Sequence, residues 1–278
     1  MAKRKYYNNR DYFLDRQNQV VRLSSDLHDK LLHKKLYGNR GFKKVTGSRA
    51  GNVLNVGGFA SQFAAFCDIS QIGLPMLDSK YVNAGTIIEP KVTDYLRTML
   101  PDQEIETYDP MKYNFDYFAD KDDVIGGIPD GYIKDQNVII EIKTTGAKNI
   151  EKWKKGEVPE SYIRQAQLYS YLMKADMFWI VSTFLNEDDY LYPEKFDINQ
   201  HKSLIHKYKV NHQAVANDVL LIKDWYKKYT VSGVSPKFDL FKDKDLIDFL
   251  ECSNEEEYEQ LIRRWKSSGK AEASFENV

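Results

Sequence analysis

At 278 residues, with 42% hydrophobic and 29% charged side chains, the chain can bury a full core and reads as an ordinary globular protein. No apolar run is long enough to span a bilayer, and the basic start MAKRKYYNNRDYF lacks the apolar stretch of a secretory signal, so a cytoplasmic, non-membrane protein is expected. The net charge of -1 hides an uneven spread: Lys3, Arg4, Lys5, Arg10, Arg16, Arg22, Lys30, Lys34, Lys35, Arg40, Lys43 and Lys44 crowd the start, whereas 236–278 leans acidic, with Glu255, Glu256 and Glu257 in a row.

The first twenty residues show no apolar period and are expected to be loose. SSDLHDKLLHKKLYG offers serine caps, leucines at helical spacing and Gly38 as a stop. The basic loop GNRGFKKVTG follows, and Ser48 opens a short helix to about Leu54. Gly57 and Gly58 break it, and SQFAAFCDISQI reads as another helix. A longer helix is expected over 81–100, with a kink or break at Pro90. Strand candidates are 103–109, 126–135 and 137–145, the last two forming a hairpin through the turn residues DQN. A lysine-rich link leads to an amphipathic helix over 161–174 and an apolar strand over 177–185. A long helix is expected over about 203–229 and a final helical region over 243–267, with a disordered tail after Ser267. This order predicts an α/β (α+β) chain with a central mixed sheet flanked by helices and extra C-terminal helices.

Cys67 and Cys252 are far apart and neither belongs to a CxxC pair, which argues against zinc and iron–sulfur sites and for two packed, reduced thiols. The charge asymmetry points to a polyanion-facing N-terminal part and a solvated acidic tail. A merely solvated basic surface is the plainer alternative.

The informative stretch is IPDGYIKDQNVIIEIKTT. Residues i and i+2 of a strand share a face, so Glu141 and Lys143 project together while Ile140 and Ile142 pack on the opposite side. Asp130 lies one hairpin away, where its carboxylate can meet that of Glu141 and the Ile142 carbonyl can join them. Two carboxylates and a carbonyl suit Mg²⁺ (or Mn²⁺), which takes oxygen ligands and keeps several waters. Such an ion stabilises charge on a phosphate and acidifies water, and Lys143 could orient that water. A pair of solvated strand charges is the alternative. Glu89, in the apolar setting AGTIIEP, is a further acidic candidate, unless it is an exposed carboxylate paired with Lys91. In SYIRQAQLYSYL, Gln165 sits beside the face carrying Tyr162, Ala166 and Tyr169 and could bond a water or a phosphate.

Together these motifs resemble the YqaJ-like viral recombinase family, the group within the PD-(D/E)xK nucleases that contains the phage lambda exonuclease. KVTGSRAGNVL resembles its opening block, NAGTIIEP its G-x-x-x-E helix, IPDG with VIIEIKTT its PD-(D/E)xK core, and YIRQAQLY its Y-x-x-Q-x-Q helix, over roughly 40–185. The resemblance implies a restriction-endonuclease-like core. It implies Asp130, Glu141, Glu89 and the Ile142 carbonyl as metal ligands, Lys143 as catalytic lysine and Gln165 as the site glutamine. Ser48 matches a serine that helps bind a 5′-phosphate; its basic partner is open among Arg40, Lys43, Lys44 and Arg49. The implied organisation is a flexible basic N-terminus over 1–20, a nuclease domain over 21–235 and a helical acidic extension over 236–278.

The implied activity is 5′→3′ hydrolysis of double-stranded DNA during recombination or DNA processing, with a single-strand annealing protein as partner and a ring-shaped homotrimer as assembly. A restriction-like or structure-selective endonuclease, and a non-catalytic DNA-binding protein on the same fold, are the competing expectations. A base-stacking role for the tyrosines and tryptophans is weaker than core packing.

Overall fold

The computed structural model describes residues 4–33 and 41–275. In chain order the elements are β1 (Tyr12–Asp15), β2 (Val20–Leu23), α1 (Ser25–Leu32), β3 (Val45–Thr46), α2 (Gly47–Val53), α3 (Gln62–Ile69) and α4 (Lys80–Met99). There follow β4 (Ile105–Glu106), β5 (Ile125–Gly126), β6 (Gly131–Ile133), β7 (Val138–Gly146), α5 (Ile150–Lys154) and α6 (Glu160–Met173). The chain continues with β8 (Met177–Leu185), α7 (Glu187–Leu191), β9 (Ser203–Lys209), α8 (His212–Ser232), α9 (Lys244–Glu251) and α10 (Glu255–Ser267). They form two compact units: Met1–Val45 with Asn52–Asp78 and Leu221–Val278, and Thr46–Gly51 with Ser79–Leu220.

In the first unit, β1 and β2 pair as an antiparallel hairpin. The expectation of a loose N-terminus is therefore corrected from residue 4 onward. The physical reason is a buried polar knot that no local periodicity reveals. Arg4 donates to the Phe249 carbonyl at 2.8 Å and to the Tyr12 hydroxyl at 2.6 Å, while its guanidinium lies 3.8 Å from the Phe249 ring centre. Tyr12 in turn donates to the Leu250 carbonyl at 3.0 Å. The C-terminal end is likewise ordered beyond expectation, since the Glu272 N–H donates to the Leu77 carbonyl and Ala271 and Phe275 are buried. Cys67 and Cys252 are buried free thiols.

The second unit is built on a five-stranded mixed sheet of order β4-β6-β7-β8-β9. Only β7 and β8 run parallel, with Glu141 opposite Ile180 and Lys143 opposite Ser182. The turn between β6 and β7 closes with Asn137 at φ 52°, a conformation asparagine tolerates well. Strand alternation then sorts the side chains as expected. Ile140 and Ile142 join Ala84, Ile88, Val92 and Leu96 of α4 in one apolar core, in which each isoleucine, valine or leucine contributes about 1.5–3 kcal/mol by burial. Glu141 and Lys143 face the other way. Pro90 does not break α4, which runs unbroken from Lys80 to Met99. Proline removes only one N–H, that to the Thr86 carbonyl, and the buried apolar stripe on either side holds the turn together.

One expectation fails outright. The stretch 203–209 is strand β9 rather than the start of a long helix, and α8 begins only at His212. SLIHKYK carries no strong signal of its own, because as an edge strand its residues are all exposed or half-buried. What makes it a strand is antiparallel pairing with β8, together with Tyr208 stacking on Phe178 at 5.0 Å. The final helical region is likewise two helices, parted at Cys252–Asn254, where Asn254 caps α10.

Candidate active site

Glu141 is the anchor. It sits mid-strand in β7, flanked by β6 and β8, and is 0% exposed. Its Oε1 accepts from Lys143 Nζ at 2.7 Å and from the Gln165 amide of α6. Its Oε2 is buried with no hydrogen-bond donor. The neighbouring Asp130 carboxylate is itself an acceptor and takes the Ile142 N–H at 2.6 Å. Two facing carboxylates need either a shared proton or a cation between them.

The electrostatics agree. Burial, reinforced by Asp130, pushes the Glu141 carboxyl up to about 8 against the pull of Lys143. Burial and then Asp130 push Glu89 up to about 8, again opposed by Lys143. Burial raises Asp130 too, with Lys143 and the Ile142 N–H pulling it back. Burial alone would favour a neutral Lys143, but the Glu141 and Asp130 carboxylates hold its proton above the usual lysine range. Its ammonium also lies 5.2 Å from the Tyr162 ring centre. Three carboxyls thus stand against a single lysine, a surplus of negative charge that a divalent cation would relieve.

Asp130, Gln165 and Glu89 line one cleft of about 660 Å³, together with Ser48, Arg49 and Tyr169. Ser48 is tied to Thr46 Oγ1 at 3.0 Å, and Arg49 donates to the same oxygen at 3.1 Å. Lys43 and Lys44 belong to the first unit. Arg40 lies outside the described residues. Lys91 does not partner Glu89, because its ammonium is spent on the carbonyls of Pro193, Glu194 and Phe196. Gln167 is structural, accepting the Asn211 N–H at 2.9 Å.

Among the described residues no three Asp, Glu, His or Cys side chains cluster as a ready cage for a metal. Glu89 lines the same cleft as Asp130 and feels its charge. The donor set still fits Mg²⁺, which is commonly held by one or two carboxylates and keeps much of its water.

Sequence reasoning missed the residue that fixes this geometry. Tyr169 is buried, and its hydroxyl accepts N–H groups from Gly47 and Ile128. A methyl group on Gly47 would lie 2.7 Å from the Tyr169 ring, and one on Gly127 would collide with its hydroxyl. The ring thus locks together the start of α2, which carries Ser48, and the segment that delivers Asp130. Gly127 takes φ +127°, which only glycine adopts readily. The signal available was the pair of glycines, in VTGS and IGGIP, which could be read only as turns.

Residues 36–176 match the YqaJ-like viral recombinase domain. The chain belongs to this family. A relative from Mycoplasma genitalium, "Uncharacterized protein MG373", is 30% identical, the match covering 70% of this chain and 84% of the relative. Its Mycoplasma pneumoniae homologue is 27% identical with the same coverage. Among solved structures, LHK-Exo in complex with dAMP is similar in fold, with TM-score 0.51, 17% identity, and coverage of 68% of this chain and 89% of that one. The sheet described above is therefore that of a YqaJ-family chain with a lambda-exonuclease-like fold.

Proposed function

We propose that this YqaJ-family chain is a divalent-metal-dependent exodeoxyribonuclease that hydrolyses phosphodiester bonds of duplex DNA, 5′→3′. One observation supports it above the rest: a fully buried glutamate beside a second carboxylate, with one oxygen bonded to a half-buried lysine and the other without a donor.

Asp130, Glu141, Glu89 and the Ile142 carbonyl would hold Mg²⁺ or Mn²⁺. When bound, such an ion supplies Lewis-acid stabilisation of the phosphate and makes water more acidic. Lys143, kept protonated by its neighbours, donates to the attacking water and orients it. Gln165, a neutral donor, positions that water or a phosphate oxygen. Ser48 and Arg49 line the same cleft and supply donors for a terminal 5′-phosphate. Family resemblance adds a homotrimer and an annealing-protein partner to this reading.

The test is digestion of 5′-phosphorylated and 5′-hydroxyl linear duplexes with Mg²⁺, beside covalently closed circles and a Lys143→Ala control. The expected outcome is Mg²⁺-dependent release of nucleotides from linear DNA only, faster with the 5′-phosphate and lost in Lys143→Ala. Cleavage of closed circles would favour an endonuclease. Binding without hydrolysis would leave a DNA-binding protein.

A further inference from the structure

Between β4 and β5 the chain makes a tyrosine-rich excursion, and one of its residues is unexplained by packing. Asn114 and Phe115 follow one another at φ 49° and 62°. Asparagine tolerates the left-handed region, but a bulky side chain there is uncommon and costly. Backbone bonds hold the conformation: the Phe115 N–H donates to the Pro110 carbonyl at 2.8 Å and that of Asp116 to Tyr113 at 3.0 Å. The Phe115 ring gains little inside the molecule in return, being 64% exposed. Strain held in place around an exposed aromatic ring indicates use from outside.

The setting shows what kind of use. Phe115 lines the same cleft as Asp130, Gln165, Ser48 and Arg49. Its neighbour Asp116 accepts the Gly127 N–H at 3.1 Å, which ties the excursion to the segment delivering Asp130. Tyr108, in the cleft wall, is backed by Tyr117 at 4.2 Å, and Phe118 packs on Tyr169 at 5.5 Å. An aromatic cluster thus runs from the residue that locks the active site through Phe118 and Tyr117 to Tyr108 and Tyr113, within the same excursion that presents the exposed Phe115 ring. A ligand that matches a flat apolar ring beside donors for an anion is a nucleotide. A base inside a duplex buries both faces in the stack and a terminal pair leaves only its outer face free, whereas an unpaired nucleotide can bring its base to a ring that lines a cleft.

We propose that Phe115 is a stacking platform for the base of an unpaired nucleotide at a DNA end, a reading that rests on the nuclease assignment above. Base–aromatic stacking tolerates any sequence, as degradation of arbitrary DNA requires.

The experiment uses the full chain in EDTA, so that no strand is consumed. Hairpin duplexes carry a one-nucleotide 5′ tail bearing either 2-aminopurine or an abasic sugar, and binding is followed by the anisotropy of a dye at the far end. The tail fluorophore is expected to be quenched at saturation. Phe115→Ala should abolish the quench and weaken binding of the base-bearing tail on the order of 10-fold, while leaving the abasic tail unaffected. Phe115→Trp should restore both, and thermal melting confirms that each variant is folded. Saturable binding with no quench, or a quench equal in Phe115→Ala, overturns the inference even if Mg²⁺-dependent digestion is intact. A base-dependent quench in a chain that digests nothing would instead sink the nuclease reading and leave the platform standing. Failure to bind any of these DNAs overturns both.

Discussion

Glu141→Gln gives the sharpest test of the site's electrostatics, because it keeps the shape of a buried side chain and removes its charge. Burial raises the folded-state pKa of Glu141 from an ordinary 4.5 to about 8. The sign is the reverse of a salt-bridged carboxylate: the protonated form is favoured in the fold. The stabilisation is therefore complete below pH 4.5 and is lost as pH rises toward and through 8. Between these limits the unfolded chain has released a proton that the fold retains, so stability falls by about 1.4 kcal/mol per pH unit for each such group. The full loss for Glu141 is about 5 kcal/mol, with Glu89 behaving similarly and sharing the same local field. Glu141→Gln removes one of the two slopes. In metal-free buffer, thermal melts from pH 5 to pH 9 should show wild-type Tm falling steeply from about pH 5 to pH 8 and levelling off beyond, and the variant falling about half as steeply. At pH 9 the variant should be the more stable chain. Adding Mg²⁺ at pH 9 should raise the Tm of the wild type and have little effect on the variant, since binding to the native state alone stabilises it. A wild-type Tm independent of pH across that range, or a variant with the same slope, would refute the argument that these carboxyls are held at high pKa by burial.

Three further outcomes are expected. Gly127→Ala should lower stability by about 2 kcal/mol or more, through a positive φ and a collision with the Tyr169 hydroxyl; pairing it with Tyr169→Phe should recover part of the Tm. Arg4→Ala should cost about 3 kcal/mol in a denaturant melt, because it strips donors from the Phe249 carbonyl and the Tyr12 hydroxyl and leaves the Phe249 ring uncovered. DNA affinity measured by anisotropy should fall steeply between roughly 50 and 200 mM salt, as counterion release demands for a backbone-gripping protein.

Much of the layout of the candidate site was legible in sequence because it rests on short-range rules. Period-2 alternation in VIIEIKTTG alone places Glu141 and Lys143 on one face and Ile140 and Ile142 on the other, and the hairpin brings Asp130 within reach. Apolar spacing located the helices carrying Glu89 and Gln165. Only the tertiary structure decided the rest, for a common reason: the partners lie far away in sequence. β9 is a strand because β8 offers it a ladder, and Arg4 is ordered because a helix some 245 residues on presents it with a carbonyl and a ring. The high carboxyl pKa values follow from burial between strands and helices. Tyr169 holds the site together through two glycines whose need for space is set by a ring that no local pattern shows.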